Sequence, residues 1–203
     1  MIGVFIGSFN PITAGHVFIA ESMLKHSACT HVMFVPVSDL YKKDTLDVTA
    51  EQRVEMIQLA ISNQPNMSVN TIEIDIANET GYHNKTIETM RMLKQQYDDT
   101  LAFIVGADNV SKLQTWYDAE SLLREFGILV ISRDGIDVEA LITNDSWLST
   151  NVFFYDVVDE AVSSASSSEI RHKIANNESI HGLVCESVEQ YIKEHRLYVE
   201  VSI

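Results

Sequence analysis

The feature that most constrains this chain is the alternation of short apolar runs with segments of helical periodicity. The first run covers 2–6 and ends at Gly7. The later runs cover 31–37, 68–76, 101–105, 127–131 and 152–157. Several of them are continuous stretches of Val, Ile and Phe, which are typical of strands covered on both faces. The run at 68–76 alternates instead, which favours a strand near an edge. The pattern therefore predicts a sheet of six strands.

Helical patterns lie between these runs and after the last one. They cover 14–26, a segment that opens at Thr49, 84–97, 168–176 and 184–195. Thr49 has Gln52 three residues later, which is the spacing of a capping box. The order predicts an α/β fold, a doubly wound parallel sheet with C-terminal helices. Because ligands bind such sheets at the carboxyl ends of strands, the residues directly after each run are candidate site residues.

Composition limits the organisation and the partners of the chain. No Gly/Ser linker or charge block divides the sequence, so we expect one domain over 1–203, with a C-terminal helical part at about 166–198. A net charge of −15 argues against nucleic acid as a partner. No run approaches the ~20 apolar residues of a membrane helix, and the N-terminus lacks a basic, signal-like region. We expect a cytoplasmic protein with no membrane partner and no metal site of its own.

The string GSFNPITAGH at 7–16 follows the first strand and opens the first helix. Unpaired backbone N–H groups and the helix dipole favour a phosphate at such a place. Gly15 allows a close approach to the first turn, and His16 can donate a hydrogen bond to a phosphate oxygen. The alternative is that Thr13 only caps the helix and His16 is an ordinary exposed residue.

The string SSSEIR at 166–171 opens a later helical pattern. A serine at a helix start caps it and leaves other N–H groups available to an anion. Arg171, one turn into the helix, can contact two phosphate oxygens with its fork of donors. The alternative is a serine loop in front of an amphipathic helix with a surface arginine.

Together the two strings resemble the two signatures of the nucleotidyltransferase superfamily, G-[ST]-F-[DN]-P-x-[HT]-x-G-H and I-S-S-[TS]-x-I-R, with Ala165 in place of the usual Ile. The resemblance implies a Rossmann-like nucleotidyltransferase fold that binds ATP. It implies that Thr13 and His16 contact the phosphates of ATP. The other ATP contacts implied by these two motifs are Gly7, Ser8, Phe9, Ser167, Ser168 and Arg171.

Three further stretches resemble one branch, the nicotinate/nicotinamide mononucleotide adenylyltransferases. They are FIVGADN at 103–109 with the following Leu113 and Trp116-Tyr117, KTIETM at 85–90, and the tail at 179–198. The resemblance implies that Gly106 and Asp108 contact ATP, with helix capping as the alternative for Asp108. It implies mononucleotide contacts from Asn10, Thr86, Trp116 and Tyr117. A place in the core or at the rim is the alternative for Trp116. Lys85 and Glu88 depart from the branch pattern.

Two lysines follow the second predicted strand, and the family often places a phosphate-binding lysine there. Lys43 is preferred over Lys42 as a contact to phosphate and to the mononucleotide, and a solvated pair is the alternative. Arg53 fits the family's helix pattern and is interpreted as either a site residue or a structural ion pair.

The implied reaction transfers the adenylyl group of ATP to nicotinate or nicotinamide mononucleotide, giving an NAD-type dinucleotide and pyrophosphate. His16, Arg171 and Lys43 are the implied catalytic residues, and Mg²⁺ is expected to arrive with ATP. Two alternatives stay open: a pantetheine-phosphate adenylyltransferase, which Ser8 and Thr13 would suit, and a non-catalytic nucleotide sensor. The choice between acid and amide, the role of Lys85 and the formation of a homodimer also stay open.

Overall fold

A computed structural model of the chain describes residues 1–41, 48–132, 136–152, 155–159 and 165–199. Its strands are β1 (Ile2–Gly7), β2 (His31–Pro36), β3 (Met67–Val69), β4 (Leu101–Gly106), β5 (Ile128–Ser132) and β6 (Tyr155–Asp159). They form one sheet in the order β3-β2-β1-β4-β5-β6, and the pairs β1/β4, β4/β5 and β5/β6 are parallel. This confirms the predicted α/β class. The strand order reverses at β1, so the first motif follows a strand at the topological switch point.

The helices agree with the sequence patterns where such patterns were recognised. They are α1 (Ala14–His26), α2 (Ala50–Ala60), α3 (Ile72–Thr80), α4 (Thr86–Gln96), α5 (Ala107–Val110), α6 (Ala119–Phe126), α7 (Val138–Asn144), α8 (Ser146–Asn151), α9 (Ser167–Ala175) and α10 (Glu186–Glu194). The predicted capping box is present: Thr49 Oγ1 accepts from the N–H of Gln52 at 3.3 Å, and Gln52 Oε1 accepts from the N–H of Thr49 at 3.0 Å. In the parts of the chain that the structure describes, no helix is both long and apolar enough to cross a membrane.

The predicted strand at 68–76 is wrong beyond Val69, because α3 begins at Ile72. Isoleucine at every second position suggested a strand, but local capping favours a helix. Asn70 Oδ1 accepts from the N–H of Ile72 at 3.0 Å, which satisfies a donor of the first turn. Gly81, with φ of 70°, ends the helix in the left-handed conformation that glycine adopts most easily.

The predicted last strand at 152–157 is displaced, because α8 continues to Asn151 and β6 begins at Tyr155. Asp145 stabilises the start of α8, since its Oδ1 accepts from the N–H groups of Trp147 and Leu148, each at 2.9 Å. β6 pairs with β5 in the register Ile128 to Tyr155. The helices α5 to α8 were not predicted.

The chain forms two compact units. The first unit consists of Met1–Ile6, Ala20–Met33 and Asn84–Ala161. Its core contains the fully buried interior of β4 and β5, and both α4 and α6 pack on β4. On the surface of this unit Arg91 of α4 forms an ion pair with Glu125 of α6, with an N···O distance of 2.5 Å.

The second unit consists of Gly7–Ile19, Phe34–His83 and Val162–Ile203. In it α10 packs on α2, and the hydroxyl of Tyr191 donates to Glu55 Oε2 at 2.9 Å. Both nucleotidyltransferase-like motifs lie in this unit. The expectation of one domain over 1–203 stays a prediction.

Arg53, in α2, forms hydrogen bonds with residues that follow two strands, β1 and β2. Its side chain is completely buried. Its Nη1 donates to the carbonyl of Ser8 at 2.8 Å, and its Nη2 donates to the carbonyl of Val37 at 2.6 Å and to Asp39 Oδ1 at 2.8 Å. The structural ion pair considered from the sequence is therefore present. It fixes the residues that follow β1 and β2.

Replacing Arg53 with Leu is expected to lower the free energy of unfolding by about 3 kcal/mol, because it leaves two carbonyls and a carboxylate without their partner. Urea denaturation followed by circular dichroism measures the change. Arg91→Leu is the matched control, since it removes an exposed ion pair and should leave the midpoint nearly unchanged. Equal midpoints for the two variants would contradict the role given to Arg53.

Candidate active site

The loop after β1 is shaped by Phe9, which is 2% exposed and has φ of 45°. Its ring packs edge-on against the ring of Phe34 at 5.5 Å between centroids and against the ring of His16 at 5.2 Å. A Cβ on Gly7 would lie 3.0 Å from Cζ of Phe9, so a larger residue here would crowd the ring where it folds back on the strand end. Phe9 thus lies below the loop and supports the imidazole of His16.

The ring of His16 is held in one tautomer by Thr13. The backbone N–H of Thr13 donates to Nδ1 of His16 at 3.0 Å, and Thr13 Oγ1 lies 3.0 Å from the same nitrogen. Because a backbone N–H can only donate, Nδ1 is the unprotonated acceptor. A neutral ring then carries its proton on Nε2, which is the tautomer that can donate to an anionic oxygen.

The first turn of α1 offers fewer donors than the sequence indicated. The N–H of Thr13 is used by His16, and the N–H of Ala14 donates to the carbonyl of Leu183 at 2.8 Å. In the described chain the N–H of Gly15 has no hydrogen-bond partner, as expected for the first turn of a helix. Tail residue Leu183 therefore helps to cap the helix of the first motif.

The second motif begins α9 beside the loop of the first. Ser166 is the N-cap, and its Oγ accepts from the N–H of Glu169 at 3.1 Å. The hydroxyl of Ser167 donates to the carbonyl of Pro11 at 2.9 Å. This contact joins the two motifs. Because of this contact, the N-terminus of α9 lies at the loop of the first motif, where the helix dipole favours an anion.

Arg171 connects the same two segments through its guanidinium. Nη1 donates to the carbonyl of Asn10 at 2.8 Å, and Nη2 donates to the hydroxyl of Ser168 at 3.3 Å. The side chain is half-buried. A guanidinium carries its five donors in one plane, so these two bonds orient the plane, and a fork of donors in this geometry suits phosphate oxygens.

One residue of the tail reaches the first motif, and the sequence did not indicate it as a site residue. The hydroxyl of Tyr198 donates to Asn10 Oδ1 at 2.8 Å. Asn10 is only 2% exposed, so its predicted contact with the mononucleotide would come from a small part of the side chain. Nothing in the local sequence pattern pairs two residues this far apart in the chain.

Five predicted site residues belong to the first unit: Thr86, Gly106, Asp108, Trp116 and Tyr117. Gly106 ends β4 and is the N-cap of α5, and Asp108 lies in the first turn of that helix. A Cβ on Gly106 would lie 2.6 Å from Asp108 Oδ1, so a larger residue here would displace this carboxylate from the strand end. Asp108 is exposed, and Gly106, as the N-cap, has no side chain that could cap the helix.

The two aromatic residues that follow, Trp116 and Tyr117, differ in how far they are exposed. Trp116 is half-buried, and its ring meets Phe103 edge-on at 5.7 Å between centroids. Tyr117 is 63% exposed. Trp116 is therefore neither a core residue nor a fully solvated one, which suits a ring that can present one face to a ligand.

The start of α4 gives a structural role to Glu88, one of the two residues that depart from the branch pattern. The N–H of Lys85 donates to Glu88 Oε2 at 2.8 Å, so Glu88 satisfies a donor at the start of this helix. Lys85 is exposed, and Thr86 is half-buried. Lys42 and Lys43 lie outside the described residues.

Comparisons with known proteins agree with one another. The family model described as cytidylyltransferase-like matches residues 4–173. A relative from Bordetella avium is 33% identical over 97% of both chains and carries the name "probable nicotinate-nucleotide adenylyltransferase". A relative from Rubrobacter xylanophilus with the same name is 34% identical, over 97% of this chain and 91% of its own.

Solved structures show the same fold. The nicotinic acid mononucleotide adenylyltransferase of Plasmodium falciparum, complexed with APC, superimposes with a TM-score of 0.77 at 18% identity. The alignment covers 97% of this chain and 96% of that one. The same enzyme complexed with NaAD gives a TM-score of 0.76. At this identity the likeness supports the fold.

Replacing Arg171 with Lys is expected to weaken the binding of inorganic pyrophosphate at least about tenfold, because the charge remains but the oriented fork is lost. Isothermal titration calorimetry measures the affinity. Lys173→Gln is the control: it removes a charge from the same helix at a residue that pairs with Glu178, and it should change the affinity less than about twofold. Unchanged affinity in Arg171→Lys would contradict the role of the guanidinium.

Proposed function

Since the chain belongs to the cytidylyltransferase-like family, and within it to the nicotinate-nucleotide adenylyltransferases, we propose that it transfers the adenylyl group of ATP to nicotinate mononucleotide. The products are the corresponding dinucleotide and pyrophosphate, in NAD biosynthesis. The relatives are named for the acid, so we propose nicotinate mononucleotide as the preferred substrate and the amide as the weaker one.

The observation that carries this proposal is the joining of the two motifs by hydrogen bonds. Ser167 donates to the carbonyl of Pro11, and Arg171 donates to the carbonyl of Asn10. These contacts gather three kinds of anion donor in one unit: the guanidinium, the N-terminal end of α9 and the imidazole of His16 in its Nε2–H tautomer. A polyphosphate carries enough anionic oxygens to use all three.

The proposed chemistry needs no general base. An oxygen of the mononucleotide 5′-phosphate, already anionic at neutral pH, attacks the α-phosphorus of ATP. The bond from that phosphorus to the oxygen bridging to the β-phosphorus breaks, and pyrophosphate leaves with the electron pair. Catalysis then consists of holding the reactants in line and stabilising the charge that develops on the phosphoryl oxygens.

Five of the predicted phosphate contacts, His16, Arg171, Ser167, Ser168 and Lys43, have a proposed role in this reaction. His16 donates from Nε2 to the α-phosphate, where charge grows in the transition state. Arg171 and the N-terminal residues of α9, Ser167 and Ser168, hold the β- and γ-phosphates. Lys43 is proposed to neutralise phosphate charge. Mg²⁺ is proposed to enter as part of Mg·ATP, since this ion keeps several waters and is held largely by phosphates.

The roles of the remaining predicted residues are also proposals. Gly106 and Asp108 are proposed to contact ATP. Thr86, Trp116 and Tyr117 are proposed to bind the mononucleotide, with the face of Trp116 stacking on its pyridine ring. We propose that the protein acts in the cytoplasm, and a homodimer stays a prediction.

The pantetheine-phosphate alternative is not proposed. Ser8 and Thr13 favoured it, but relatives matched along 97% of the chain carry the nicotinate name. A non-catalytic sensor is not proposed either, because the Nε2–H donor of His16 and the oriented guanidinium of Arg171 are both retained.

The first test measures pyrophosphate release with Mg·ATP and, in parallel, nicotinate mononucleotide, nicotinamide mononucleotide and 4′-phosphopantetheine. We expect the highest kcat/KM with nicotinate mononucleotide, because donors that bind its carboxylate are left unpaired by the amide. Turnover only with 4′-phosphopantetheine would refute the proposed substrate. Tight ATP binding without turnover of any of the three would favour a sensor.

Replacing His16 with Ala is expected to lower kcat about a hundredfold to a thousandfold, the usual loss when one oriented donor to the transition state is removed. His16→Gln should lose less, because its amide N–H can reach toward the position of Nε2. His172→Ala is the control, since His172 is exposed and contacts Asn176 in its own helix. Wild-type turnover in His16→Ala would contradict the assigned role, provided that thermal denaturation shows all variants folded.

A further inference from the structure

Asn10 is held from two directions by groups that come from the C-terminal part of the chain. Its carbonyl accepts from Arg171 Nη1 at 2.8 Å, and its side-chain Oδ1 accepts from the hydroxyl of Tyr198 at 2.8 Å. The residue is 2% exposed, so the acceptor of each bond is buried. Neither the family motif nor the proposed reaction gives a task to Tyr198.

The backbone after α10 is shaped to deliver this hydroxyl. Arg196 and Tyr198 have φ values of 50° and 63°, which place two residues other than glycine in the left-handed region. Between them Leu197 is 7% exposed, and its N–H donates to the carbonyl of Ile192 at 3.0 Å. Such a conformation is unfavourable for these residues and persists where the surroundings fix it. The tail therefore presents Tyr198 in a defined position.

The two hydrogen bonds of Asn10 connect Tyr198 in the tail with the guanidinium of Arg171. With Oδ1 occupied by Tyr198, the amide plane of Asn10 has one orientation and its Nδ2 is directed away from the tyrosine. A fixed side chain also fixes the position of its carbonyl, which is the acceptor for Arg171. A change at the hydroxyl of Tyr198 is thereby transmitted to the donor that is proposed to hold the β- and γ-phosphates.

We propose that Tyr198 is a positioning residue for adenylyl transfer, acting through Asn10 on Arg171. The inference rests on the proposed function, and it adds a residue from the last turn of the described chain to the machinery. In this proposal Tyr198 contacts neither substrate. Its hydroxyl acts through Asn10 to position Arg171, which is the group proposed to hold the phosphates.

A second tyrosine of the same region supplies a matched control. The hydroxyl of Tyr191 also makes one hydrogen bond, to Glu55 Oε2 at 2.9 Å. Burial and that carboxylate raise the pKa of Tyr191 to about 12, so it stays a donor across the assay range. Its bond joins α10 to α2 and involves no residue of either motif. Removing the hydroxyl of Tyr191 therefore shows how the loss of a purely structural hydrogen bond affects kcat, pyrophosphate affinity and Tm.

The test compares Tyr198→Phe with Tyr191→Phe, each of which deletes a single hydroxyl. For Tyr198→Phe we expect kcat to fall about tenfold and pyrophosphate affinity to fall several-fold, consistent with the loss of one positioning hydrogen bond. For Tyr191→Phe we expect both to stay within about twofold of wild type, while its Tm falls at least as far as that of Tyr198→Phe. Wild-type kcat and pyrophosphate affinity in Tyr198→Phe would overturn the proposal.

A double-mutant cycle tests the route through Asn10. In an Asn10→Ala background, Tyr198→Phe should cause no further loss of kcat, because the group through which it acts is gone. Losses that multiply would show that Tyr198 acts by another route and would overturn the inference. The comparison of Tyr198→Phe with Tyr191→Phe remains decisive if Asn10→Ala does not fold.

Pyrophosphate affinity separates this inference from the proposed function, since its measurement needs no turnover. If wild type turned over neither mononucleotide, the proposed function would fail. Weaker pyrophosphate binding in Tyr198→Phe, with Tyr191→Phe unchanged, would then still support the coupling of Tyr198 to Arg171. Equal pyrophosphate affinities in all three proteins would overturn it.

Discussion

Three carbonyl groups in the loop after β1 each accept a hydrogen bond from a side chain carried by a distant segment. The pairs are Ser8 with Arg53, Asn10 with Arg171 and Pro11 with Ser167. A buried carbonyl without a partner is costly, so these bonds hold a loop that has no ladder of its own. Two of the three donors belong to the second motif. The same hydrogen bonds therefore determine the shape of the loop and the positions of the proposed phosphate donors.

Much of the fold follows from patterns that act locally. The apolar runs at 2–6, 31–37 and 101–105 became strands, and the capping signal at Thr49 opened α2. The strand expected at 68–76 failed because alternation of isoleucines is also compatible with a helix when Asn70 and Gly81 cap it. The helix α6 was not predicted, although apolar residues recur in it at helical spacing, because it is only eight residues long and its N-cap Asp118 makes no side-chain cap.

The candidate site was predictable as a set of residues and not as a set of contacts. The resemblance of the two motifs predicted His16 and Arg171 as site residues, but it could not tell that the N–H of Thr13 selects the tautomer of His16. It also could not tell that Tyr198 bonds to Asn10, since that pair depends on how the tail folds back. The chain carries a net charge of −15, so attraction of an anionic substrate must come from a few placed groups.

We propose that these placed groups bind the triphosphate of ATP. A crystal structure of the protein with Mg²⁺ and a non-hydrolysable ATP analogue would test this. We expect Nε2 of His16 within hydrogen-bond distance of an α-phosphate oxygen, and the guanidinium of Arg171 and the first turn of α9 against the terminal phosphates. A triphosphate bound elsewhere, with His16 and Arg171 making no contact to it, would refute the proposed binding mode.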